Sequence, residues 1–95
     1  PLILDREVEG SNQLDVKGVF IAIGMLPQND LAKQLGVELN PRGEIIINRV
    51  SETNVEGVMA AGDVTNAEWK QGIIAAAEGS VAAYSAFEYL QKLDD

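Results

Sequence analysis

The chain contains no cysteine and no histidine. Without cysteine it holds no disulfide, no thiolate metal ligand and no cysteine nucleophile. Without histidine it lacks the commonest general base and metal ligand. Aromatic residues make up only 5% of the chain, with a single tryptophan, Trp69. Lysine and arginine total 7 against 15 acids, a net charge of −8. That balance argues against nucleic acid and anionic membrane surfaces as partners. No apolar run approaches the roughly 20 residues needed to span a bilayer, and no signal-peptide pattern is visible. Glu38 and Glu44 have no spacing that argues for paired carboxylates, so glycosidase and metal-site readings are unsupported. The acids of residues 5–9 and 94–95 read as solvated surface.

What is present is 95 residues at 46% hydrophobic content, enough for one small globular domain and too few for two. The chain starts at Pro1 rather than methionine, which is expected of a processed product or a piece of something longer.

Leu2-Ile3-Leu4 opens a brief β-prone run, and Glu9-Gly10-Ser11-Asn12 is a turn signal. Together they predict a hairpin whose return strand enters near Leu14 to Val16. Val19-Phe20-Ile21-Ala22-Ile23 is the strongest strand signal in the chain and ends at Gly24. Pro27 makes the next stretch a connector. Asn29 or Asp30 can cap a short helix through Leu35, which Gly36 ends. Asn40-Pro41-Arg42-Gly43 predicts a turn, followed by a strand at Glu44-Ile45-Ile46-Ile47.

Gly57-Val58-Met59-Ala60-Ala61-Gly62-Asp63-Val64 reads as a buried strand that ends in a glycine and an acid. An apolar run without polar alternation suits a parallel α/β sheet covered on both faces. Asp63 then stands at the carboxyl end of the strand, where open α/β sheets place ligands. Residues 64–70 read as a loop. A helix is predicted from about Gln71 to Leu93, with Ile73, Ala77, Val81, Tyr84 and Leu90 as its apolar stripe and Ile74 and Phe87 beside it. Its alanines and Gly79 make it thin enough for close packing.

Three ordered motifs carry a family resemblance. They are Gly18-Val19-Phe20-Ile21-Ala22-Ile23-Gly24 with Pro27, Thr53 followed by Gly57 to Asp63, and Trp69-Lys70-Gln71 with the small-residue helix. On these the chain resembles the carboxyl-terminal part of the thioredoxin-reductase-like flavoproteins. The last stretch is somewhat closer to the flavoprotein component of alkyl hydroperoxide reductase, because typical thioredoxin reductases carry arginine where Lys70 stands.

The resemblance implies an α/β fold: the carboxyl-terminal half of a Rossmann-like FAD-binding domain, mostly parallel sheet with a long terminal helix. Residues 1–24 would be the tail of the pyridine-nucleotide domain, a hairpin and returning strand, and residues 25–95 the second half of the FAD domain. It implies FAD and NAD(P)H as cofactors, and a homodimeric, cytoplasmic parent enzyme. Its electrons would pass from NAD(P)H through flavin to a cysteine pair outside this chain, then to a thioredoxin-like or peroxiredoxin protein. The implied partner of the segment itself is the remainder of that flavoenzyme. The family's G-x-G-x-x-G phosphate loop and C-x-x-C are not in this sequence, so the chain alone is expected to be inactive.

By the same resemblance Asp63, after Gly62, accepts a hydrogen bond from a ribityl hydroxyl of FAD. The residues alone favour a loop acid or a cap for the next turn over a ligand. Gln71, Gly72 and Ile73 would present helix-terminal amides to the pyrimidine side of the flavin, or form an ordinary helix start. Lys70 would neutralise reduced flavin or phosphate, or be a solvated surface lysine. Trp69 would cover the flavin or a domain interface, or staple the helix entrance. Two other readings stand beside the enzyme fragment: a non-catalytic module that docks on a partner chain, and a cysteine-free relative of the ferredoxin–NADP reductases.

Overall fold

A computed structural model describes residues 1–94. Strand β1, Leu2–Val8, and strand β2, Ser11–Leu14, form an antiparallel hairpin with Leu2 opposite Leu14 and Val8 opposite Ser11. Glu9 and Gly10 both take left-handed backbone, φ 53° and 84°. Such two-residue turns match the natural twist of paired strands. The return strand therefore starts at Ser11, earlier than the turn signal predicted, and Val16 lies beyond it.

Residues 19–23 form no strand. Phe20, Ile21 and Ile23 are 101%, 78% and 92% exposed. A strand is held by hydrogen bonds to a neighbour, and none of the described residues pairs with this run.

Helix α1, Asp30–Gln34, follows the connector. Asn29 occupies the N-cap position but makes no capping bond there. Its side-chain amide donates instead to the Gly43 carbonyl at 2.8 Å, tying the helix entrance to the next turn. Ala32, Val37 and Ile45 are the buried core, ringed by Leu39, Ile47, Val55, Val58, Ala60 and Val64.

The expected turn after Asn40 is present, closed by the Gly43 amide on the Asn40 carbonyl at 2.9 Å. The two predicted strands that follow it, at 44–47 and 57–61, are reduced to isolated bridges. Ile45 pairs antiparallel with Leu39 and parallel with Thr65, and Met59 pairs antiparallel with Glu52. The expected mostly parallel sheet is thus corrected among the described residues: the one sheet is the antiparallel hairpin, and parallel pairing is confined to Ile45 and Thr65. Residues 58–61 are half-buried rather than covered on both faces.

Helix α2, Gly72–Leu93, begins within a residue of the predicted start but turns a different face inward. Ile74, Ala75, Glu78, Ala82, Ser85, Ala86 and Tyr89 are its half-buried residues. The predicted stripe faces out, with Ile73, Tyr84 and Leu90 between 58% and 82% exposed; of the two residues beside it, Phe87 is 59% exposed and Ile74 half-buried. The reason is steric. A side chain added at Gly62 would sit 3.5 Å from the Ala75 Cβ, and one at Gly57 would sit 3.1 Å from the Tyr89 ring. The approach is tight at Gly57, which leaves room for the Tyr89 ring, and an ordinary contact at Gly62.

The chain is elongated, 71 × 25 × 19 Å with a radius of gyration of 19.8 Å, against about 12 Å for a compact domain of this length. Much of its apolar surface is correspondingly left exposed.

Gly57 has φ 83° and faces Tyr89. Gly57→Ala is expected to destabilise the fold by about 1–2 kcal/mol from the left-handed backbone alone, more where the ring does not yield. Urea unfolding checks this, and an unchanged midpoint would refute the close approach.

Candidate functional site

An open cleft of about 480 Å³ is lined by Met25, Leu26, Pro27, Gln28, Glu44, Asp63, Val64 and Lys70. The connector forms one lip. The end of the apolar run and the loop before α2 form the other. Asp63 is exposed on this lip, and no donor among the described residues reaches its carboxylate. It is a charged acceptor without a protein partner, facing space that can hold a ligand.

Gly62 stands immediately behind it with φ 88°. Its carbonyl accepts from the Thr65 amide at 3.0 Å and the Thr65 hydroxyl at 2.7 Å. Thr65 is fully buried. The turn that presents Asp63 is therefore closed from within.

Lys70 is neither a solvated lysine nor an unengaged cation. Its Nζ donates to the Thr65 carbonyl at 2.8 Å and the Ala67 carbonyl at 3.2 Å, and pairs with Glu44 Oε2 at 3.0 Å. The other Glu44 oxygen accepts from the Asn40 side-chain amide at 2.8 Å. That hydrogen bond, followed by the one from Lys70, holds the Glu44 carboxyl below its ordinary value. The pair ties the loop before α2 to the strand-like segment at Ile45.

Gln71 is the N-cap residue of α2, in extended backbone and with no side-chain capping bond. The first turn carries no acid. The amides of Gly72 and Ile73 thus keep their uncompensated donor character, and the space around Gly72 is open. Gln71, Gly72 and Ile73 do not line the cleft, but they follow Lys70 directly at its edge. Trp69 is 72% exposed.

The site thus combines an exposed carboxylate at the lip of a cleft with uncapped amides beside an uncrowded glycine. A family model described as pyridine nucleotide-disulphide oxidoreductase matches residues 4–83. The chain belongs to that family.

Among its relatives, an alkyl hydroperoxide reductase component of Pseudomonas putida is 44% identical over 86 residues, covering 90% of this chain and 16% of that protein. Its counterpart in Staphylococcus aureus strain N315 is 49% identical, covering 90% of this chain and 17% of that protein. Among solved structures, T. acidophilum thioredoxin reductase superposes with a TM-score of 0.74 at 37% identity, covering 90% of this chain and 28% of that one. Lactococcus lactis thioredoxin reductase gives 0.72 at 31% identity, covering 79% and 24%. The resemblance to thioredoxin-reductase-like flavoproteins is upheld. The chain spans about a sixth of the length of these curated oxidoreductases.

Sequence reasoning brought Asp63 and Lys70 to the site but missed Glu44, Thr65 and Glu78. Glu78 Oε1 accepts the Gly62 amide at 2.8 Å and lies 3.4 Å from the Thr65 hydroxyl. No local signal marked Glu78, because the apolar stripe pointed to a different inner face of α2.

The lowered Glu44 value fixes the sign of a pH effect. The stability that this carboxylate contributes is fully present above the ordinary value of 4.5 and is lost as pH falls through the lower folded value. Glu44→Gln is expected to flatten that acid limb and leave the region from pH 4.5 to neutrality without a new slope. Thermal unfolding of wild type and variant across this range checks it; an acid limb of the same depth in both would count against the pair.

Proposed function

We propose that this segment supplies one wall of the FAD site in a disulfide oxidoreductase of the thioredoxin reductase type that draws on NADH or NADPH. The observation that carries the reading is Asp63: an exposed carboxylate with no donor among the described residues, held on a pinned turn at the lip of a cleft. Family membership supports the choice of ligand. When bound, FAD supplies the electron transfer between pyridine nucleotide and disulfide.

Each residue holds a different part of it. Asp63 accepts a hydrogen bond from a ribityl hydroxyl, and its charge makes that bond stronger than a neutral acceptor would. Gly62 provides the backbone turn that aims it. The amides at Gln71, Gly72 and Ile73 favour negative charge on the pyrimidine side of the ring. Lys70 keeps those amides in place through Glu44 and is the single cation among the residues lining the cleft. The phosphate loop and the reactive cysteines belong to the remainder of the parent enzyme, so the segment by itself is inactive in this reading.

A second reading draws on the exposed run at Phe20, Ile21 and Ile23 and the outward face of α2. Surfaces of this kind mark association with another polypeptide. It makes the segment a docking module with no part in flavin binding.

Asp63→Ala in the full flavoprotein carrying this segment separates the two. The FAD-wall reading expects the dissociation constant for FAD to rise about ten- to hundred-fold, the worth of a hydrogen bond to a charged group. Titration followed at the flavin band near about 450 nm measures it. Unchanged affinity, with the polypeptide still assembled, would leave only the docking reading.

A further inference from the structure

Glu78 is the half-buried carboxylate on the inner face of α2 that the proposed flavin chemistry leaves unused. From the second turn of the helix it reaches across to the residue before Asp63. Its Oε1 accepts the Gly62 amide at 2.8 Å and lies 3.4 Å from the Thr65 hydroxyl, whose shorter bond, 2.7 Å, runs to the Gly62 carbonyl. Both backbone groups of Gly62 are thereby held, the amide by Glu78 and the carbonyl by Thr65.

This matters because Gly62 has no side chain to restrict it, and its left-handed φ of 88° is one of several conformations open to glycine. The direction in which the chain delivers Asp63 depends on that dihedral. Nothing else among the described residues fixes the Asp63 side chain, which has no protein donor of its own. A charged acceptor makes the amide bond about twice as strong as a neutral one. The Ala75 Cβ, 3.5 Å from where a Gly62 Cβ would stand, keeps the helix close enough for a glutamate to reach.

We infer that Glu78 is a positioning residue for the flavin site: it sets the aim of the Asp63 carboxylate by holding the Gly62 amide. The inference rests on the reading of Asp63 as a ribityl ligand. It assigns Glu78 a role that works through Asp63 and not through packing of α2 alone.

A double-mutant cycle in the full flavoprotein tests it, with the dissociation constant of FAD from the apoprotein as the readout. Glu78→Ala is expected to raise that constant about ten-fold, a large part of what losing Asp63 costs. Glu78→Gln, which keeps a neutral acceptor oxygen at the same reach, should lose only about three-fold, half of that penalty in free energy. In an Asp63→Ala background the Glu78→Ala penalty should vanish, because a residue acting through Asp63 has nothing left to aim. If Glu78→Ala does not yield folded apoprotein, Glu78→Met, of similar volume and without an acceptor oxygen, takes its place in the cycle.

A Glu78 penalty of equal size in both backgrounds, or no penalty at all, overturns the inference and leaves the role of Asp63 standing. An Asp63→Ala variant that binds FAD as tightly as wild type removes the flavin reading, and this inference with it.

Discussion

The structure depends on how closely α2 approaches the segment from Gly57 to Thr65. Gly57, which leaves room for the Tyr89 ring, and the small Ala75, Ala82 and Ala86 on the inner face make the approach possible. Polar contacts then hold it: the Glu78 carboxylate on the Gly62 amide, the Ser51 hydroxyl on the Glu78 carbonyl at 3.5 Å, and the Ser85 hydroxyl on the Val50 carbonyl. Apolar burial alone would not do this, since the helix has no buried residue and only Ala32, Val37 and Ile45 form the core. The geometry that presents Asp63 is therefore a product of hydrogen bonding at short range more than of a large hydrophobic core.

The middle of the chain is held in a similar way, with asparagine side chains standing in for strand ladders. Asn54 Oδ1 accepts the Glu38 amide at 2.7 Å, and Asn66 Oδ1 accepts the Ile47 amide at 3.2 Å. Asn48 Oδ1 accepts from Val50 and Glu52, both at 3.0 Å. Backbone donors must find partners, and asparagine oxygens supply them in place of regular strand, locally at Asn48 and across the chain at Asn54 and Asn66. The Lys70–Glu44 pair completes this frame by fixing the loop that leads into α2. Frame and helix start are thus coupled through one ion pair and one turn.

Much of the site was readable because its residues lie on local signals. The glycine and acid after an apolar run marked Asp63, and the cluster of small residues marked α2 and its close packing. The hairpin and the turn at Asn40 followed from turn chemistry. What misled was periodicity where long-range pairing decides. The run from Val19 to Ile23 has strand composition but no partner among the described residues, and the large apolar residues of α2 gave a clear stripe that faces outward. Composition reports what a segment can bury, whereas which face is used depends on what approaches it. Glu44, Thr65 and Glu78 were missed for a related reason. Lys70 is distant along the chain from Glu44, and Gly62 and Thr65 from Glu78, with no spacing rule to connect them; Thr65 bonds locally to Gly62, and its role shows only through the turn it closes.

Amide hydrogen exchange in the full flavoprotein, compared with and without FAD, tests the central claim most directly. If residues around Asp63 and the first turn of α2 form one wall of the flavin site, the amides of Gly72 and Ile73, uncapped in the structure, should gain protection when FAD binds, together with the Asp63 turn. Protection confined to other parts of the protein, with these amides exchanging at the same rate in both states, would contradict the account.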